Sequence, residues 1–147
     1  MTRINVGVCV KELTDEHLLA EHREIKRLPS CLDRSIQSGS IKFIPPSFKL
    51  GQGHVLFFLD KLKYSYSRYL GIREECLRRG FNVQDFSANW DRYKDTTYFS
   101  DYTPREQDRD LIVSRIKERI EGSTKKMWHY CGKPITSEEA MNLLRTK

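Results

Sequence analysis

Apolar residues recur at three- and four-residue steps in three stretches of the chain, and each stretch predicts an amphipathic helix. The first covers residues 14–28, with Thr14 or Asp15 as N-cap and Pro29 as its stop. Asp15 and Glu16 then fall in the first turn, where the helix dipole favours negative charge. The second lies within 53–79, where Val55, Phe58, Leu59, Leu62, Tyr66, Tyr69, Cys76 and Leu77 form one apolar face and Gly80 takes the position after the helix end. The third covers 104–120, with Thr103 as cap, Pro104 at the first helical position and Ile112, Ile116 and Ile120 as the buried stripe.

Thr136-Ser137-Glu138-Glu139 is a capping box that opens a short terminal helix carrying Ala140, Leu143 and Leu144. Residues 30–52 and 82–102 read as loops. Residues 4–10 alternate too poorly for a strand and read as an irregular arm. The expected fold is all-α, a compact single domain over residues 1–147 with about three main helices, long loops and a short extra C-terminal helix.

Composition narrows the function classes. No apolar run approaches the roughly 18 residues of a membrane span, and no export signal opens the chain, so a cytoplasmic, reducing location is expected. The cysteines Cys9, Cys31, Cys76 and Cys131 form no Cys-x-x-Cys pair. They read as free and mostly buried, without zinc. With 26 Lys and Arg against 20 Asp and Glu, the net charge of +6 and pI near 9.2 favour a polyanionic partner.

Candidate chemistry sits on the first helix. At 100° per residue His17, Glu21 and Glu24 fall in one line, and Arg23 and Arg27 occupy the adjacent line. One reading is an exposed face laced with weak ion pairs. The other is a carboxylate inside a phosphate-binding patch, where the arginines grip the backbone and Glu24 handles protons. Arg115 and Arg119 repeat the basic pair on the third helix, and Arg3 adds a cation near the start.

Thr2 is small, so removal of Met1 is expected to free its α-amine. Such an amine titrates near 7.7–8.0 and is about a third neutral at pH 7.5, against about a thousandth for an ordinary lysine. It is therefore a ready nucleophile for imine chemistry. His54 reads as a packing or capping residue. The histidines and cysteines show no metal-ligand spacing, and Gly51-Gln52-Gly53 lacks the rest of a phosphate loop. Trp128, His129 and Tyr130 beside Lys125 and Lys126 fit either core packing or rings that stack on or wedge against bases.

These residues together resemble the phage pyrimidine-dimer DNA glycosylases, the UV endonuclease (endonuclease V) family. The resemblance rests on Met-Thr-Arg-Ile-Asn at the start and on Glu-His-Leu-Leu-Ala-Glu-His-Arg-Glu-Ile-x-Arg from Glu16 to Arg27. It continues through Pro46-Ser47-Phe48, Leu50-Gly51-Gln52-Gly53-His54-Val55, Phe57-Phe58 and Asp60-Lys61-Leu62. Glu75-Cys76-Leu77-Arg78-Arg79-Gly80-Phe81-Asn82 and Gly132-Lys133 complete it.

The likeness implies an all-α enzyme that binds double-stranded DNA containing pyrimidine dimers or abasic sites, as a monomer and without a cofactor or metal. It implies catalysis by Thr2, whose amine forms an imine with the deoxyribose, and by Glu24. It implies DNA contacts from Arg3, Arg23, Arg27, Arg115 and Arg119, and His17, Trp128 and Tyr130 are the further expected DNA-binding residues.

The chain departs from the family pattern in an extra residue around 9–11, in Cys131 where the family has a ring, and in an extension over 134–147. Two alternatives stay open: the same lyase chemistry on another damaged base, and a non-catalytic basic DNA-binding protein.

Overall fold

The computed structural model describes residues 4–144, and Thr2 and Arg3 lie outside them. Among the described residues, six α-helices make up about half of the chain. The first, α1 (Asp15–Ile25), starts where expected: the Thr14 side chain accepts from the His17 backbone N–H at 3.2 Å. It ends three residues before its expected limit. Pro29 has no N–H to give the Ile25 carbonyl, so it cannot prolong α1, and it sits instead in the first turn of α2 (Leu28–Ser38), where the missing donor costs nothing. Thus the expected loop over 30–52 is helical in its first third. Gly39, at φ 81°, closes α2.

The expected helix within 53–79 is two helices, α3 (Gln52–Phe58) and α4 (Leu62–Arg78). The break arises from tertiary contacts. The Leu62 N–H donates to the Tyr98 carbonyl at 3.0 Å and the Tyr64 N–H to Ser100 at 3.4 Å, while Lys61 pairs with Phe99. Donors that would have continued the helix ladder are committed to a neighbouring loop. That loop, expected over 82–102, also contains a 3₁₀ turn, Ser87–Tyr93, whose Trp90 is fully buried and donates its indole N–H to Ser65 Oγ at 3.0 Å.

α5 (Glu106–Gly122) begins two residues later than the Thr103-Pro104 signal. Buried Asp108 decides this, because it accepts from the Arg105 N–H at 3.0 Å and from the Tyr102 hydroxyl. The aromatic-basic stretch after α5 forms an unexpected β-hairpin, β1 (Met127–Tyr130) against β2 (Lys133–Thr136). Its two-residue turn places Cys131 at φ 51° and Gly132 at φ 78°, the left-handed pair that a tight hairpin turn demands. The fold is mainly helical with this one small sheet. α6 (Ser137–Asn142) follows directly, with the expected reciprocal capping of Thr136 and Glu139.

One apolar core gathers side chains from every part of the chain. Leu18 and Ile25 of α1, Leu32 of α2, Phe57 and Phe58 of α3, Tyr69 and Ile72 of α4 and Ile112 and Ile116 of α5 all enter it. Ala140 and Leu144 of the extension belong to the same cluster. Only Cys76 of the four cysteines is buried; Cys9 is exposed and Cys31 and Cys131 are half-buried. Residues 4–10 are irregular as expected, yet Ile4, Val6 and Val8 are buried to within 1%. The arm is thus threaded through the core rather than loose on its surface. Among the described residues no helix is long and apolar enough to cross a membrane.

Candidate active site

The arm lacks a helix or strand partner, so its backbone polar groups need side-chain partners. Three residues from distant elements supply them. The Ile4 N–H donates to His54 Nε2 at 2.9 Å. The Asn5 N–H donates to Glu21 Oε2 at 3.2 Å, and Asn5 Nδ2 donates to Glu21 Oε1 at 2.7 Å. Arg68 on α4 then grips both Glu21 and the arm. Its Nε and Nη2 donate to the Glu21 carboxylate at 2.5 and 3.0 Å, and its Nη1 donates to the Val8 carbonyl at 2.8 Å. Burial works against the Arg68 charge, but the Glu21 carboxylate outweighs it and raises the guanidinium pKa.

Glu24 lies one turn beyond Glu21 on the same face of α1. A cleft of about 60 Å³ opens there, lined by Asn5, His17, Ala20, Glu21, Glu24, Ile116 and Arg119. Three of the expected site residues, His17, Glu24 and Arg119, thus converge from α1 and α5 on one small hollow. Asn5, three residues after Thr2, forms part of its wall. Arg23 and Arg27 are exposed at the end of α1. Arg115 is half-buried one turn before Arg119 and is not among the cleft's lining residues.

His17 is held from two sides. Its Nδ1 is 2.8 Å from Thr14 Oγ1, and its ring stacks on Trp128 at 5.3 Å with an interplanar angle of 11°. Trp128 is buried, so its ring supports His17 from beneath. Tyr130 is half-buried, with its hydroxyl donating to the Lys11 carbonyl at 2.8 Å and its ring under the Arg79 guanidinium. Both rings are committed to protein contacts in the structure.

The hairpin that carries these rings is fastened to the start of α1. Asp15 accepts from the Cys131 and Gly132 backbone N–H groups at 3.0 and 2.8 Å, and from Arg79 Nη1 at 2.9 Å. Glu16 accepts from the His129 N–H and Nδ1 and pairs with Lys125. Burial alone would raise the Glu16 pKa, but its hydrogen bonds from His129 and Lys125 bring it down to about 2. Arg79, whose side chain is fully buried, also donates to Glu75 and to the Val10 carbonyl.

Sequence reasoning missed Asn5, Ala20, Ile116, His54 and Arg68 as parts of the site. Glu21 was visible in line with His17 and Glu24, but its partner Arg68 lies 47 residues away and leaves no local signal.

The arrangement brings the Glu24 carboxylate and the Arg119 guanidinium to one narrow hollow walled in part by Asn5, with Arg23 and Arg27 exposed at the end of α1. A family model described as pyrimidine dimer DNA glycosylase matches residues 1–89. That span contains the arm and α1–α4, and so Thr2, Arg3, His17, Arg23, Glu24 and Arg27; Arg115, Arg119, Trp128 and Tyr130 lie beyond it. With well over half its length matched, the chain belongs to the pyrimidine dimer DNA glycosylase family.

Proposed function

We propose that the protein is a bifunctional enzyme, a DNA glycosylase and abasic-site lyase acting on cyclobutane pyrimidine dimers in double-stranded DNA. In this reading the Thr2 α-amine attacks C1′ of the damaged nucleoside, and the glycosyl bond breaks with its electrons leaving on the base. The sugar ring opens to an imine. A proton then leaves C2′ and the 3′-phosphate departs, cutting the strand, and water releases the amine.

Glu24 stabilises the cationic sugar as the bond breaks and accepts the C2′ proton. A fixed carboxylate beside growing positive charge lowers the barrier electrostatically, and the same group serves as general base. Arg119, with Arg3, Arg23, Arg27 and Arg115, holds the phosphates, and His17 contacts the lesion from its Trp128 support. Tyr130 and Trp128 act on DNA through the hairpin that they stiffen. The protein works as a monomer, as one domain over residues 1–147, in the cytoplasm. It needs no metal or cofactor.

The observation that carries this reading is the shared cleft of Asn5, Glu24, His17 and Arg119. Three residues of chain span at most about 10 Å, so covalent geometry alone keeps a Thr2 amine within reach of a cleft walled by Asn5. The test is borohydride trapping on one duplex with a single thymine dimer and on another with a single abasic site. The trapped peptide is identified by mass spectrometry. The expected result is a covalent adduct on Thr2 with both duplexes, undiminished in chelator. Trapping with the abasic duplex alone would keep the lyase and reassign the excised base. No adduct on either would leave a DNA-binding protein without this chemistry.

A further inference from the structure

We infer that His54 is a positioning residue for the reacting amine, an inference that rests on the reading of Thr2 as nucleophile. The two ring nitrogens of His54 have opposite duties. A carbonyl only accepts, so Nδ1, 3.2 Å from the Lys49 carbonyl, carries the ring proton. Nε2 is then a bare acceptor, and it takes the Ile4 N–H at 2.9 Å. Both contacts require the same neutral tautomer. The ring itself has no freedom to turn: it is 2% exposed, edge-on to Phe48 and Phe58 at 5.6 and 5.5 Å.

Its backbone is fixed as well, within α3, where the His54 N–H donates to Gly51 at 3.2 Å. The bond therefore ties residue 4 to a rigid helix 50 residues away in sequence.

The placement matters because of what is upstream. Ile4 is two residues from Thr2, which limits the separation of their Cα atoms to about 7 Å. The next residue, Asn5, is held to Glu21 on the cleft side. His54 and Glu21 thus clamp consecutive residues. The two clamps fix the backbone from which the preceding residues extend. Nucleophilic attack depends steeply on such placement, since a misplacement of about 1 Å can cost a hundredfold in rate. His54 touches neither substrate nor reacting atoms in this scheme; it acts through the backbone of Ile4.

The test compares wild type, His54→Phe, His54→Gln and a variant with one glycine inserted between Arg3 and Ile4. His54→Phe keeps an aromatic ring and loses the acceptor, and His54→Gln restores an amide oxygen near Nε2. The insertion leaves the His54 bond intact and displaces the amine. Each is measured for the single-turnover trapping rate on an abasic duplex at saturating protein and for Kd on a duplex with a reduced, uncleavable abasic sugar. Far-ultraviolet circular dichroism reports the folded fraction.

His54→Phe and the insertion should each lower the trapping rate at least tenfold with Kd within threefold, and His54→Gln should recover within threefold of wild type. A wild-type adduct on Thr2 together with an unchanged trapping rate in folded His54→Phe would overturn the assignment of His54 alone. If His54→Phe does not fold, an insertion variant that traps at the wild-type rate overturns it equally. A wild-type adduct on any other residue would instead overturn the Thr2 reading on which it depends.

Discussion

Replacing Arg68 by methionine should unfold the protein at much milder denaturant. The side chains of Arg68 and Glu21 are 9% and 1% exposed, and the guanidinium makes two bonds to the carboxylate and one to the Val8 carbonyl. Methionine fills most of the space but supplies no donor. Glu21 would be left as a buried anion with only the two Asn5 donors, and the Val8 carbonyl would lose its guanidinium donor. Breaking one side of such a buried pair costs about 3–5 kcal/mol, a large part of the roughly 5–15 kcal/mol that holds a domain together. With a urea slope of about 2 kcal/mol per molar, the unfolding midpoint should fall by about 1.5–2.5 M.

The partner variant Glu21→Gln should also destabilise, since the amide cannot serve Arg68 and Asn5 together. The double variant Arg68→Met/Glu21→Gln should lose clearly less than the sum of the two singles. Equilibrium urea unfolding followed by circular dichroism and by tryptophan fluorescence gives all four values of the cycle. A loss under about 1 kcal/mol for Arg68→Met, or additive effects in the double variant, would mean that the pair behaves as a solvated surface contact. The anchoring of the arm would then need another cause.

Three further outcomes are expected. Glu24→Gln should lower dimer cleavage by at least a hundredfold while duplex affinity stays within a few-fold, read by gel cleavage and fluorescence anisotropy; cleavage at the wild-type rate would remove Glu24 from the chemistry. If Arg3, Arg23, Arg27, Arg115 and Arg119 each meet a phosphate, log Kd should rise against log salt with a slope of about 4.5, at roughly 0.9 per contact, and a flat line would refute the basic patch. His22, buried between Tyr69 and Phe86, has its pKa lowered by burial and by the cations of Lys26, Arg73 and Arg23, against a bond to the Gln84 backbone. The unfolded chain therefore takes up the proton first. Stability should be full above about pH 6.5 and decline as pH falls from there toward the folded value, whereas His22→Phe should remove that part of the decline; equal pH slopes in urea unfolding would refute this.

What the sequence could reveal depended on how local the cause was. Thr14 and the Thr136/Glu139 box announce their helices because a cap is a contact between residues three apart. The break between α3 and α4 is invisible because the Tyr98 and Ser100 carbonyls that cause it are 36 residues from the donors they engage. The hairpin escaped because its strands have four residues each and its turn is Cys131-Gly132, without the asparagine or aspartate that usually marks such turns. In the site, the line of His17, Glu21 and Glu24 follows from helical period alone. That Arg119 shares a cleft with Glu24, and that Arg68 and His54 hold the arm, follows only from the tertiary arrangement, in which α1 packs against α4 and residues of α3 and α5 are brought to the arm and the cleft.

The attachment of the hairpin to α1 also sets an order of events in the cell. Asp15 waits for the N–H groups of a turn 117 residues later, and one wall of the cleft comes from Ile116 and Arg119. At about 5–20 residues per second, a ribosome takes roughly 6–23 s to make the intervening chain. For most of that interval the nascent protein carries Glu24 and the arm but lacks Ile116 and Arg119. Its acidic helix start can meet Arg79 early and the hairpin only at the end. Assembly of the cleft is consequently among the last steps of biogenesis, and contacts of such long sequence separation make the final docking slow relative to helix formation.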